Sequence, residues 1–278
     1  MPAADYLFEQ VRVAIRGGGD LGSGVAYRLV RCGFPVLITE LPRPLLLRRA
    51  VCFGSAALQG EITVEGLTAR RVEDLEEGLR VQTYGEIPVL IDPRGDCLPG
   101  YNPSVLVDAR MTKTGPDACP IRPPLLIGMG PGFHAPDNCD VVLETNRGHQ
   151  LGRAIRDGSP QPDTGLPGGV LGHSGDRVLR APVDGVVTSL VEIGDRLKQG
   201  QPVASVDGQV VSAPFDGVLR GLVHDGVEVR QGLKIGDVDP RGDPVNSVTI
   251  SDKSLAIGGG AVEAVFSSPA IRRLIRGE

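Results

Sequence analysis

The 278-residue sequence predicts an α/β protein in which a parallel-sheet domain is followed by a small all-β domain. Three observations carry that reading. A β-branched run, Val11 to Arg16, stops at three glycines and gives way to apolar residues at helical spacing and then to a second β-branched run, the pattern of a strand, a tight turn, a helix and a parallel strand. Four more short apolar runs follow it at intervals suited to buried strands. Finally, a segment that opens at Ala181 recurs 32 residues later at Ala213 and stays in phase. Hydrophobic residues make up 41% and charged residues 23%, enough for packed cores. The 39 glycines and 23 prolines point to short elements joined by tight turns rather than long helical bundles.

In the first domain the helix carries Leu21, Val25, Leu29 and Val30 and ends near Gly33 and Pro35. The next strand is Val36 to Thr39, with Glu40 at its carboxyl end. Leu45 to Phe53 reads as a second helix, and Glu61 to Arg70 as a hairpin around Glu65-Gly66. Ile87 to Ile91, Ser104 to Val107, Leu125 to Ile127 and Val141 to Leu143 are the buried-strand candidates. Residues 1–165 are assigned to this domain. Asp157 to Asp176, rich in Gly, Pro, Ser and Asp, is a linker or a long functional loop. Residues 176–240 hold the repeat. Residues 241–278 are expected to pack back on the first domain, with Pro269 kinking or dividing a helical stretch from Ala261 to Ile275.

The formal charge of -5 is spread without runs, which offers no basic stripe to nucleic acid. No stretch approaches the apolar length of a membrane span, and Met1 to Asp5 lacks a signal pattern, so a soluble, cytoplasmic protein is expected. The five cysteines form no C-x-x-C pair and are expected to be reduced thiols. Four histidines without an H-x-x-x-H or H-x-H pair argue against a dedicated metal site.

The chemistry-bearing motifs lie at predicted strand ends. Gly17, Gly18, Gly19, Asp20, Leu21 and Gly22 satisfy G-x-G-x-x-G between a strand and a helix, with Glu40 closing the next strand. This context makes the domain Rossmann-like. There the first glycine permits the turn, Gly19 lets backbone N–H groups approach an anion, and Gly22 lets helix and strand pack closely. Glu40 is placed to accept a ribose hydroxyl, favouring an NAD-like dinucleotide over one with a 2′-phosphate. The bland alternative is a glycine turn that only reverses the chain. Gly128 and Gly130 belong to a second glycine turn, which either extends an anion site or is simply loop geometry. Arg110 and Lys113 follow another strand and are either phosphate or pterin-substituent partners or members of a solvated salt-bridged loop. For catalysis the candidates are His149, Lys113 and Lys253 as acids or bases, and Cys97 and Cys119 as loop thiols.

Two resemblances extend these readings. The repeat A-P-x-D-G-V followed by G-D-x-L-K-Q-G-Q-P-V resembles biotinyl and lipoyl carrier domains, which implies a barrel-sandwich hybrid. The turn that would present the modified lysine reads Val206-Asp207-Gly208-Gln209-Val210, so no biotin or lipoate attachment is expected. Over nearly the whole chain, I-R-G-G-G-D-L-G-S-G-V-A, L-I-T-E, I-G-M-G-P-G-F, V-L-E-T-N-R-G-H and I-S-D-K-S-L-A-I-G-G-G resemble the YqeB family. The first domain is also similar to the Rossmann part of xanthine dehydrogenase accessory proteins. The resemblance implies an accessory role in maturing selenium-dependent molybdenum hydroxylases, with a client hydroxylase as partner and a molybdopterin-type cofactor or other nucleotide-containing small molecule as ligand. It supplies no catalytic residues. An NAD-dependent oxidoreductase and a non-catalytic docking scaffold are the competing readings.

Overall fold

The structure is a computed structural model, and it describes residues 4–117, 119–162 and 169–278. The chain is mixed α/β and divides into two compact units. The first comprises Met1–Pro44, Phe53–Asp163 and Ile250–Glu278, the second Leu45–Cys52 and Thr164–Thr249. The expected boundary at residue 165 lies outside the described residues.

The first unit begins with strand β1 (Val13–Arg16), whose four residues are all buried, as a strand covered on both faces requires. Helix α1 (Asp20–Arg31) starts from Gly19 and is closed by Gly33, at φ +91° in the left-handed region that favours glycine past a helix end. Strand β2 (Val36–Glu40) then pairs parallel to β1. After it come a helical turn α2 (Ala56–Gln59), the hairpin β3 (Glu61–Val64) and β4 (Leu67–Val72), and helix α3 (Leu75–Gln82). Asp74 starts α3 by accepting the Glu77 N–H at 2.8 Å. Strand β5 (Ile87–Ile91), helical turn α4 (Leu98–Tyr101), β6 (Val105–Asp108), β7 (Leu125–Met129), β8 (Val141–Leu143) and β9 (Ala154–Ile155) complete the sheet, in the order β3-β4-β5-β2-β1-β6-β7-β8-β9. The run from β4 to β8 is parallel, while β3 and β9 are antiparallel edges. The order reverses at β1, which has β2 on one side and β6 on the other.

The helix expected over Leu45 to Phe53 does not form. Short 3-10 turns, Arg49–Val51 and Phe53–Ser55, stand there instead. The physical reason is tertiary: Leu45–Cys52 belongs to the second unit, where Arg48 Nη2 donates to the carbonyls of Asn246 and Thr249 and Arg49 Nε to that of Leu222, all within 3.0 Å.

The second unit contains β10 (Val178–Arg180), β11 (Gly185–Ser189), β12 (Arg196–Leu197), β13 (Pro202–Val206), β14 (Gln209–Ser212), β15 (Gly217–Leu222), β16 (Glu228–Val229), β17 (Lys234–Asp239) and a helical turn α5 (Val245–Val248). They form two antiparallel four-stranded sheets, β10-β17-β15-β12 and β14-β13-β11-β16. The sequence repeat appears as exchange between its copies: β11 pairs with β16, and β15 with β12. Asp184 accepts the N–H of Gln231 at 2.7 Å and Asp216 that of Gln199 at 2.9 Å. The aspartate of each A-P-x-D-G motif therefore caps a turn in the opposite copy, so each copy depends on the other for part of its backbone hydrogen bonding. Val187, Leu197, Val203, Leu219, Val229, Ile235 and their neighbours fill the core.

The chain then returns to the first unit as α6 (Asp252–Ser267) and α7 (Pro269–Arg276). Pro269 divides the expected helix, since it can open a helix but not continue one. Helix α6 lies against α1 with glycines at the closest approach. A Cβ on Gly24 would overlap the Ser254 carbonyl, and one on Gly258 the Gly24 carbonyl. Among the described residues, no single helix is long and apolar enough to cross a membrane.

Candidate functional site

The site is built at the carboxyl edge of the first unit's sheet, where the strand order reverses. Ligands of open parallel sheets seat at such edges. Gly17 has φ +94° and donates its N–H to the Thr39 carbonyl, which lets the chain leave β1 abruptly. Gly18 is pressed against other backbone: its carbonyl accepts the Gly54 N–H at 2.8 Å and the Ser23 hydroxyl at 3.0 Å. Gly19 stands at φ -69° and ψ -175°, an extended conformation open to any residue. The turn thus draws on Gly17, not Gly19, for left-handed backbone. Gly22 packs under the turn, where a Cβ would overlap the Gly17 carbonyl oxygen. Asp20 and Leu21 occupy the first turn of α1, and Asp20 accepts the Ser254 hydroxyl at 2.8 Å.

Glu40 sits at the end of β2, yet its carboxylate turns inward. Oε2 accepts the Gly18 N–H and Oε1 the Leu41 N–H, each at 2.8 Å. It is 7% exposed, and burial raises its pKa above the ordinary glutamate range, with the two backbone hydrogen bonds opposing. In this geometry Glu40 braces the glycine turn. Ser23 and Gly54 share that task, because the Ser23 Oγ also accepts the Phe53 N–H at 2.8 Å. Neither was singled out by sequence; the small residue that Gly54 supplies is required because a Cβ there would stand 2.7 Å from Glu40 Oε2.

On the β6 side, Arg110 folds back on Asp108 through Nε at 2.9 Å and Nη2 at 2.6 Å, and reaches Asp117 through Nη1 at 2.7 Å. Its Cγ lies against Gly17, so guanidinium and glycine turn share one corner. Lys113 is exposed in the same loop. Gly130, at φ +109°, packs against Met111, itself at φ +58°, while Gly128 lies beneath the Phe133 ring. The second glycine turn is therefore locked by contact with its neighbours.

The loop after β8 is tied to α6. Arg147 forms a two-pronged ion pair with Asp252, both contacts at 2.8 Å, and Lys253 follows in the first turn of α6. Through Ser254 and Asp20, this helix start meets the start of α1. His149 is exposed on the loop. Glu144 organises the segment by accepting the N–H groups of Asn146 and Gln161, each at 2.7 Å.

Cys97 follows β5, and its pKa is pushed up to about 12 by burial first and by the Asp92 carboxylate second. Asp92 is itself held low: burial works to raise it, but N–H groups of Cys97, Asp96 and Gly95 outweigh that. Cys97 is thus a poor nucleophile. Cys119 is half-buried at the wall of a cavity of about 390 Å³. Among the described residues, no group of three or more His, Cys, Asp or Glu side chains is arranged to hold a metal ion.

The chain is similar to the uncharacterized protein YqeB of Escherichia coli (strain K12), with 44% identity over 254 residues, 91% of this chain. It spans about half the length of that relative, 47%. No family model and no solved structure matches the chain.

Proposed function

We propose that this chain is an accessory protein for the maturation of selenium-dependent molybdenum hydroxylases. In this reading the first unit is a Rossmann-like domain that seats a phosphate-bearing ligand, a nucleotide or a molybdenum-cofactor-related compound, at the glycine turn. The second is a lysine-less barrel-sandwich hybrid that serves docking. The likeness to YqeB and the motifs quoted above support the family role. One structural observation supports the ligand: the N-terminal backbone N–H groups of α1, which opens at Gly19, stand at the sheet edge where the strand order reverses. Together with the helix dipole they favour an anion.

Because Glu40 is engaged with Gly18 and Leu41, selection for a ribose hydroxyl is not part of the proposal. The phosphate is the recognised group. Native mass spectrometry of the freshly purified protein, followed by calorimetry with NAD, ADP and a molybdopterin compound, tests it. Gly19→Val is the matched control. Gly19 sits at negative φ, so valine is compatible with the backbone, and a branched side chain there is expected to crowd an anion at the start of α1. The folded variant should lose binding by tenfold or more, roughly the worth of a charge-assisted hydrogen bond or more. Unchanged affinity in a folded Gly19→Val protein would remove the glycine turn from the site. A mature client hydroxylase in cells lacking this protein would remove the role.

A further inference from the structure

On the sheet face opposite α1 lies a cavity of about 390 Å³ that the glycine-turn reading leaves unused. Its walls include Leu106, Leu126, Phe133 and Ile121, with Cys119 beside them, and its polar floor includes Arg16 and Asp108, the last residues of β1 and β6. The volume is that of a small-molecule site.

The charges on this floor do not pair evenly. Asp108 is already held by the two-pronged contact from Arg110, at 2.9 and 2.6 Å. Arg16, only 2% exposed, approaches the same carboxylate no closer than 3.9 Å, beyond hydrogen-bond reach. Its Nη2 donates to the carbonyls of Pro93 and Arg94, at 3.1 and 3.3 Å. Its Nε has no partner among the described residues. A guanidinium taken out of water costs several kcal/mol unless charge and hydrogen bonds compensate it. Two neutral carbonyls and a carboxylate already claimed by another arginine compensate it incompletely.

We propose that this cavity binds a small organic oxyanion, a carboxylate or phosphate ester, with its charged end on Arg16 and its apolar body against Phe133, Leu106 and Leu126. The chemistry is that of arginine with a planar or tetrahedral oxyanion, and the apolar wall excludes a bare inorganic ion as the best fit. The cavity adjoins the glycine turn through Arg110, which binds Asp108 and Asp117 of its lining and lies against Gly17, but it uses none of the N–H groups at the start of α1.

The test uses the full chain with benzoate, phenyl phosphate and the neutral isostere benzamide as probes. Alkylation of Cys119 by iodoacetamide is followed by peptide mass spectrometry, with the melting temperature as a second readout. Benzoate or phenyl phosphate should slow Cys119 alkylation and raise the melting temperature, while benzamide at the same concentration does neither. The better of the two oxyanions tells which ester or acid class the site prefers. Arg16→Gln should weaken protection about tenfold or more. If that variant fails to fold, Ile121→Trp, which keeps Arg16 and fills the cavity, should abolish protection. Gly19→Val should leave it unchanged. Equal protection by benzamide, no protection by either oxyanion at millimolar concentration, undiminished protection in Ile121→Trp, or loss of protection in Gly19→Val would overturn the proposal.

Discussion

Glu40 is the residue whose role differs most from what its position suggested. An acidic side chain at the end of the second strand reads as a ribose acceptor, but here both oxygens hold backbone N–H groups of the turn that the motif itself creates. The consequence is measurable in acid. Burial raises its pKa in the folded chain, so folding favours the protonated form. Stability from this group is therefore full below the ordinary glutamate range and is lost as pH rises through the raised folded value. Urea unfolding of the wild type and of Glu40→Gln should show the difference, wild type minus variant, falling over that window; a flat difference would show that the carboxylate titrates as it does in the unfolded chain. Cys97 carries a second prediction. With its thiol pushed up to about 12, a maleimide at neutral pH should modify Cys119 well before Cys97. Peptide mapping that found Cys97 labelled first would contradict the burial and carboxylate argument.

The elements that sequence made legible are those with strong local signals. The glycine turn between β1 and α1, the hairpin at Glu65-Gly66, the buried runs that became β5 to β8, and the break at Pro269 each rest on patterning that a short window contains. What stayed hidden depends on distant partners. Leu45 to Phe53 has helical composition, yet Arg48 and Arg49 bond to carbonyls far along the chain. Arg16 is a strand-end charge whose meaning needs Asp108 and Arg110 beside it, although an arginine closing a four-residue apolar strand was a usable signal. Helix α3 was missed even though Asp74 and Glu77 mark its start. The sequence points the tail back to the first domain without naming α1 as its partner, and the contact of α1 with α6 yields a sharp prediction. Alanine at Gly258 should gain about 1 kcal/mol of helix propensity but place a methyl group into the Gly24 carbonyl. Overpacking of that kind costs about 1–3 kcal/mol or more. Gly258→Ala should therefore lower the melting temperature, and Gly24→Ala likewise. Because the two residues touch, their effects in the double variant should not add. Stabilisation by either substitution would mean that the helices stand farther apart.

For the whole molecule, the repeat-built second unit is expected to carry no attached cofactor, and intact mass of the native protein should equal that of the chain without biotin or lipoate. The turn at Asp207-Gly208 offers neither the reach nor the nucleophile of a lysine. Cross-capping of the repeat copies by Asp184 and Asp216 predicts that either copy expressed alone stays unfolded, which proton exchange would show directly. The interleaved path of the chain bears on how it is made. Synthesis delivers α1 early, but the helix that covers it begins at Asp252, after the second unit's strands have emerged. A ribosome must therefore release most of the polypeptide before α1 is covered, and until then the glycine-lined face waits uncovered. Nascent chains stalled at Thr249 should be cut by protease in the first unit and captured by holdase chaperones, and stalling far enough past Ser267 to clear α6 from the exit tunnel should bring resistance.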